Sequence, residues 1–340
     1  MSSLNYPFPD LPAPGTTHEV APGVRWLRMP LPFQLNHINL WMIEDDGGWT
    51  IVDTGIGNDE TKQCWEKIFS EMTDLKVKRV ILTHYHPDHA GNAAWLCEKF
   101  GVELWTTQGE YLTAHAVRAA AAGYTSDAVL GVFEKNGLEA EKRAAMAPRN
   151  NRYAALVPGF PASYRRIYEG DAVRIGGRDW HAIVGYGHAP EHLSLYCKAL
   201  NVVIAGDMLL STISTNVSVW SVDPEGDPLR LFLQSIRRYL ELPADVLVLP
   251  SHGKPFRGAH ARVAELEAHH AERFQELEAS LKGKTLSAAE LLGVLFRRPL
   301  DAHQTFFAMG EAIAHLHYLY YAGRASRSVG ADGVMRYARA

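Results

Sequence analysis

The segment Thr83-His84-Tyr85-His86-Pro87-Asp88-His89-Ala90-Gly91 constrains this chain more than any other feature. It sets four metal-ligand side chains, His84, His86, Asp88 and His89, directly after the apolar run Val77–Leu82 and directly before a helical pattern. Residues two apart at the fraying end of a strand point the same way, so His84 and His86 can share one cation. Pro87 ends the strand. Asp88 and His89 then fall at the turn into the helix and can face a second cation, as two-metal hydrolytic sites require.

The flanking sequence reads as a layered α/β protein. Val24–Leu27, Ile38–Ile43 and Trp49–Val52 are short apolar and β-branched runs separated by turn residues, the last two forming a hairpin. Asp59–Met72 has helical spacing through Trp65, Ile68 and Phe69, Asn92–Phe100 is a short amphipathic helix stopped by Gly101, and Val102–Trp105 is the next strand. A second β-rich half runs from Ala172 to Leu249, with strands at Trp180–Val184, Leu193–Cys197, Val202–Ala205 and Val246–Leu249. Between the halves, Gln108–Gly170 is Ala-rich, helical in pattern and too long for a simple connection. It reads as a helical insert. Either it covers a site, with Phe133, Leu156 and Phe160 receiving an acyl group, or it is a layer packed on the sheet.

These elements make residues 1–258 one domain and 259–340 a second. In the second, Ala259–Lys282 is a long helix, Ser287-Ala288-Ala289-Glu290 is a capping-box start, and Ala302–Tyr321 is a helix ending before Gly323. Arg324–Ser328 and Val334–Ala338 close the chain as a hairpin, and the whole has the outline of a winged-helix appendage.

Composition narrows the function classes. At 47% hydrophobic and 21% charged residues the chain is an ordinary globular one, which excludes disordered and low-complexity classes. A net charge of -4 gives no global pull toward nucleic acid or anionic lipid. No stretch approaches the ~18 apolar residues that span a membrane. Cys64, Cys97 and Cys197 are odd in number and widely spaced, so they predict neither a disulfide framework nor a thiolate zinc site. The N-terminal residues do not read as a signal peptide, and the expected location is the cytoplasm. The compositional oddity is histidine, present 16 times.

Three more ligand types stand singly after apolar strands: His188 after Gly185-Tyr186-Gly187, Asp207 after Val202–Ala205, and His252 after Val246–Leu249. Gly187, Gly206 and Gly253 beside them allow tight backbone conformations close to a cation. With Asp53-Thr54-Gly55 at a strand end, these motifs in this order resemble the metallo-β-lactamase fold superfamily. That resemblance implies an α/β fold, a four-layer αββα sandwich with the site along one edge of the two sheets. It further implies that His84, His86 and His188 bind a first metal and Asp88, His89 and His252 a second. Asp207 bridges both in that scheme, and Asp53 orients the ligands without touching a metal.

Nitrogen and carboxylate ligands without thiolate suit zinc, and they also suit iron or manganese. A hydroxide bridging two such cations is a nucleophile at neutral pH, because binding lowers the pKa of water from about 15.7 toward 7. One cation then polarises the carbonyl, the other stabilises the leaving group, and Asp88 orients the nucleophile. The run Gly187–Tyr196 resembles the G-H-[ST]-P-G-H-x-x-x-Y motif of glyoxalase-II-type and thioesterase-like members, departing from it at Ala189 and Glu191. His192 within it reads as a supporting residue. Asp223–Leu229 resembles a D-P-x-G-D run of the same branch, where it begins a helix.

These similarities favour a small-molecule acyl substrate, a thioester, ester or lactone, over a β-lactam. The tail holds no equivalent of the basic and aromatic residues with which glyoxalase II grips glutathione. It resembles instead the winged-helix extension of another branch, some of whose members cut RNA while others hydrolyse acyl thioesters. Two alternatives stay open: a nuclease presenting Arg297, Arg298, Arg324 and Arg327 to a phosphate backbone, and a mononuclear iron oxygenase like the persulfide-oxidising relatives. The acidic residues of the tail disfavour nucleic acid. Tyr318, Tyr320 and Tyr321 cover a homodimer surface or, as their helical spacing favours, pack in the core.

Overall fold

Strand-forming runs on either side of the middle of the chain build two sheets that share one apolar core. The computed structural model describes residues 4–33, 35–146 and 151–340, so positions 147–150 of the expected insert lie outside the described residues. The first sheet has seven strands in sequence order: β1 (Thr17–Ala21), β2 (Val24–Pro30), β3 (His37–Glu44), β4 (Trp49–Val52), β5 (Val77–Ile81), β6 (Leu104–Thr106) and β7 (Tyr164–Arg166). Strands β1 to β4 pair antiparallel and β4 to β7 parallel. The second contains β8 (Ala172–Ile175), β9 (Arg178–Gly185), β10 (His192–Cys197), β11 (Val202–Gly206) and β12 (Leu247–Pro250), in the order β12-β11-β10-β9-β8. Only the β11–β12 pair in it is parallel.

Alternation along the strands decides which face is buried where. Trp26, Trp41, Val52 and Ile81 from the first sheet meet Trp180, Leu193, Leu195, Ile204 and Leu249 from the second, all fully buried. The opposite face of the first sheet, through Leu27, Leu40, Ile51 and Val80, packs against Trp65, Ile68 and Leu96 of helices Asp59–Ser70 and Ala93–Phe100. Asn58 caps the first of these helices by accepting Thr61 N–H at 2.8 Å, and Gly101 ends the second at φ 63°. On the outer face of the second sheet, Ser194 Oγ lies 2.7 Å from the hydroxyl of buried Tyr239.

The chain forms two compact units, and each gathers separated stretches of sequence. The first holds both sheets and comprises the described residues up to 119, 151–215 and 236–263. The second comprises the described residues of 120–150, together with 216–235 and 264–340. Helices Gln108–Arg118 and Arg152–Leu156 therefore fall in the first unit, and Ser126–Lys135 and Ala140–Met146 in the second.

Within the second unit, Phe133 is buried against Phe306 with ring centroids 5.5 Å apart. Tyr318 stacks on Phe274 at 4.3 Å and is half-buried, whereas Tyr321 is exposed, so the three tyrosines are not core together. The C-terminal elements run helix Ala259–Ser280, β13 (Thr285–Leu286), helix Ala288–Leu295, helix Ala302–Tyr321, β14 (Ala325–Val329) and β15 (Met335–Arg339). Their three strands form a sheet in the order β13-β15-β14. Ser287 with Glu290, and Asp301 with Gln304, close capping boxes at the two later helices. Among the described residues, no helix is long and apolar enough to cross a membrane.

Candidate metal centre

The ends of β4, β5, β9, β11 and β12 lead into the segments that carry Asp53, His84, His188, Asp207 and His252. Two groups of side chains result that could each hold a metal ion: His84, His86, His188 and Asp207, and Asp88, His89 and His252. All seven residues singled out as ligands from the sequence come together here. One local expectation needs correcting. Strand β5 stops at Ile81, so His84 and His86 stand on irregular backbone before the short helix Pro87–Ala90 rather than on a strand end. The backbone leaves the ladder at Thr83, whose N–H and hydroxyl both turn to the Asp53 carboxylate at 2.8 Å.

In the first group, His84 Nε2 lies 3.0 Å from His86 Nδ1 and 3.3 Å from His188 Nε2. Imidazole nitrogens at 2.0–2.1 Å from a tetrahedral cation stand about 3.3 Å apart, so this spacing fits a shared cation. Asp207 faces both groups. Its Oδ2 is 3.5 Å from His188 Nε2, while Oδ1 is 3.5 Å from His89 Nε2 and 3.6 Å from His252 Nε2. Asp88 Oδ2 is 3.4 Å from His252 Nε2 and 3.8 Å from His89 Nε2. His89 Nε2 and Asp207 Oδ1 are buried with no hydrogen-bond partner, as atoms kept for a cation are.

Partners behind the imidazoles fix their tautomers. His89 Nδ1 lies 2.8 Å from Asp53 Oδ2, His84 Nδ1 lies 3.1 Å from the Thr83 hydroxyl, and His252 Nδ1 lies 2.9 Å from the His37 carbonyl. In each ring the Nδ1–H donates, so Nε2 is the nitrogen turned to the site and the one that would give its lone pair to a cation. Asp53 accomplishes this from a left-handed backbone, φ 61°, with no solvent exposure. His192 lies outside both groups: its Nε2 accepts Asp207 N–H at 3.1 Å, beneath Gly206 at φ 53°. A Cβ on Gly206 would meet His192 Nε2 at 2.4 Å, so glycine is required there.

Electrostatics follow from burial and pairing. Burial and the neighbouring imidazoles hold His84 well below the usual histidine range. Burial also opposes charge on His89, but Asp53, Asp88 and Asp207 outweigh it and hold this imidazole well above its usual range. Desolvation works against ionised Asp207, yet His252 and His89 keep its carboxyl well below the carboxylate range.

The roles of several supporting residues were not visible in the sequence. Asn39 donates to the carbonyls of Pro250 and Gly253, both at 2.8 Å, and so fixes the His252 loop. Glu110 is buried beside the two histidine segments. Burial pushes its carboxyl up to about 8, against two peptide N–H groups that favour its charge. Gly91 packs so closely on the Gly55–Gly57 backbone that an added Cβ would lie 2.2 Å from Gly57 N and 2.6 Å from Gly55 O. Neither neighbour is a side chain that can yield. Gly91→Ala is expected to lower unfolding free energy by about 3 kcal/mol, the upper range of overpacking penalties, which urea denaturation measures.

The sequence model of the "Metallo-beta-lactamase superfamily" matches residues 34–252, well over half of the chain. This chain belongs to the metallo-beta-lactamase superfamily. A second family model, "Metallo-beta-lactamase-like, C-terminal domain", matches residues 274–340 of this superfamily member. Among solved structures, a beta-lactamase domain protein from Burkholderia ambifaria superposes with a TM-score of 0.91 at 51% identity, over 99% of this chain and 97% of that one. Bacillus subtilis has a relative named probable metallo-hydrolase YqjP, 25% identical over 86% of this chain and 91% of its own length. The hydroxyacylglutathione hydrolase GloC of Haemophilus influenzae is 26% identical over 65% of this chain and 86% of its own. The protein is thus a metallo-beta-lactamase superfamily hydrolase with glyoxalase-II-like homologues and a cluster of histidines and aspartates suited to divalent metal.

Proposed function

We propose that this hydrolase cleaves a thioester, ester or lactone with two divalent cations per chain, zinc being the metal, and acts on a small acyl molecule in the cytoplasm. The observation that carries the proposal is Asp207, whose two carboxylate oxygens face separate ligand groups. When bound, a pair of divalent cations supplies Lewis acidity and lowers the pKa of water from about 15.7 toward 7. The chain supplies the rest. His84, His86 and His188 would hold the first cation, and Asp88, His89 and His252 the second, with Asp207 common to both. Asp88 accepts a hydrogen bond from the attacking water and orients it. Asp53 and His37 keep His89 and His252 in the tautomers that leave Nε2 free.

The choice of an acyl bond draws on relatives named hydroxyacylglutathione hydrolases. A nucleic-acid partner is not part of this proposal. Arg297, Arg324 and Arg327 pair with Glu276, Glu278 and Glu225, so three of the four arginines of that alternative carry an acidic partner, while Arg298 is exposed.

The test is elemental analysis of protein purified without added metal, with a panel of acyl thioesters, lactones, a chromogenic cephalosporin and a phosphodiester. Two zinc per chain with thioester or lactone turnover is the expected result. A single iron with oxygen consumption, or phosphodiester cleavage alone, would sink the proposal.

A further inference from the structure

Helix Gln108–Arg118 opens with Thr107-Gln108-Gly109-Glu110, the pattern of a capping box, in which both side chains normally serve their own helix. Two later helices of this chain use such boxes in that way. Here both side chains are diverted. Thr107 caps nothing and donates its hydroxyl to the Glu191 carbonyl at 2.7 Å. Glu110, 1% exposed, accepts Tyr85 N–H on Oε2 at 2.9 Å and Glu191 N–H on Oε1 at 2.7 Å.

The exchange is reciprocal. Glu191 Oε2 accepts Gly109 N–H at 2.8 Å, so the orphan donor at the helix start is satisfied by the loop that the helix holds. A Cβ on Gly109 would stand 2.9 Å from Glu191 Cγ and 3.1 Å from Pro190 Cβ, which explains a glycine inside the first turn. Tyr153 completes the grip by donating its hydroxyl to the Tyr85 carbonyl at 2.6 Å.

Tyr85 lies between His84 and His86, and Glu191 lies three residues after His188. Glu110 therefore joins the two segments that carry the three imidazoles of the first group. We propose that Glu110 is a positioning residue for that group, a buried carboxyl group tying the His84–His86 segment to the His188 loop. It acts through these peptides and touches no reacting atom. The inference rests on the two-cation reading above.

The geometry is specific to a side chain with two acceptor oxygens. Two N–H donors converge on two acceptor oxygens. An isosteric glutamine offers one oxygen and turns an amide N–H₂ toward the other donor. A residue that only filled space would tolerate that change. Asp88, His89 and His252 are positioned by other groups, Asp53 and His37 among them, so the effect should fall on one cation of two.

The experiment titrates metal-free full-length protein with zinc ion against a chelator. Wild type should take two ions tightly. Glu110→Gln should take one at wild-type affinity and the other about 10- to 100-fold more weakly, the range for residues that orient metal ligands. In a His188→Ala background, which already lacks part of the first group, Glu110→Gln should add no further loss. Thr107→Val removes one contact of the same latch and leaves both Glu110 hydrogen bonds in place, and should weaken the same ion by a smaller factor. Unchanged zinc affinity in Glu110→Gln, or equal loss of both ions in Thr107→Val, would overturn the inference. Wild type that binds a single ion would instead overturn the two-cation reading, while weaker binding of that ion in Glu110→Gln but not after His188→Ala would still support the positioning role.

Discussion

Replacing Asp207 with Ala is expected to reduce kcat on an acyl thioester by on the order of 10³-fold or more. A cation pair held in place supplies several kcal/mol of transition-state stabilisation, and each factor of ten corresponds to about 1.4 kcal/mol. Among the described residues, Asp207 is the one side chain whose oxygens come within 3.6 Å of His188, His89 and His252 alike, so its loss opens both ligand groups together. The effect is not confined to metal. In the metal-free protein Asp207 balances the charge that His89 and His252 tend to carry, and without it those buried imidazoles lose a counter-charge. Asp207→Asn keeps the shape and removes the charge, so it should lose activity nearly as far while its fold is less disturbed. Steady-state kinetics with elemental analysis of each variant checks this. Hydrolysis at wild-type rates in Asp207→Ala would exclude the dinuclear mechanism.

The ligand block was legible because His84, His86, Asp88 and His89 crowd into six positions between a strand and a helix, where a bland explanation is hard to sustain. His188, Asp207 and His252 were legible only jointly: each follows an apolar strand, and each has a glycine beside it, at φ 100°, 53° and 85° in Gly187, Gly206 and Gly253. What local pattern could not show was where polar side chains spend their hydrogen bonds. Thr107 and Glu110 match a local cap and serve a tertiary contact instead. Thr83 matches the end of a strand, yet it turns its N–H to Asp53, 30 residues away.

Unit composition was hidden for a similar reason. Helix Ser126–Lys135 is amphipathic in sequence, but nothing in it says that Phe133 will pack on Phe306, or that Gly137 will come so close to Ser287 that a Cβ would stand 2.5 Å from its Oγ. The same holds for the arginines of the tail. The acidic residues around them already disfavoured a basic surface but did not say which partner each would find: Arg324 makes a bidentate pair with Glu278 at 2.8 and 2.9 Å. Periodicity reports which face is apolar, and not what that face or its charged neighbours will meet.

Asp53→Asn isolates the orienting network from the ligands themselves, and its expected effect is the second largest. The Asp53 carboxylate accepts Thr83 N–H, the Thr83 hydroxyl and His89 Nδ1–H, each at 2.8 Å. Asparagine keeps the left-handed backbone at low cost, so the substitution does not test strain. It does remove acceptors. One amide oxygen can keep the Thr83 N–H, and the amide N–H₂ then faces donors. The Thr83 hydroxyl can rotate to accept from it, but then no longer competes in the same way for His84 Nδ1–H, 3.1 Å away. His89 has no such freedom. Its ring must leave Nδ1–H unpaired or move the proton to Nε2, the atom that faces Asp207 and Asp88. A proton on Nε2 occupies the lone pair that a cation needs. Zinc affinity should therefore fall about 10- to 100-fold, chiefly at the Asp88, His89 and His252 group. Unfolding free energy of the metal-free protein should fall by about 1–3 kcal/mol, the cost of a buried polar group left unpaired. Zinc titration and urea denaturation read the two effects separately. Glu110→Gln should mirror the first on the opposite ion, so unequal, complementary losses in the two variants would show that each group has its own support.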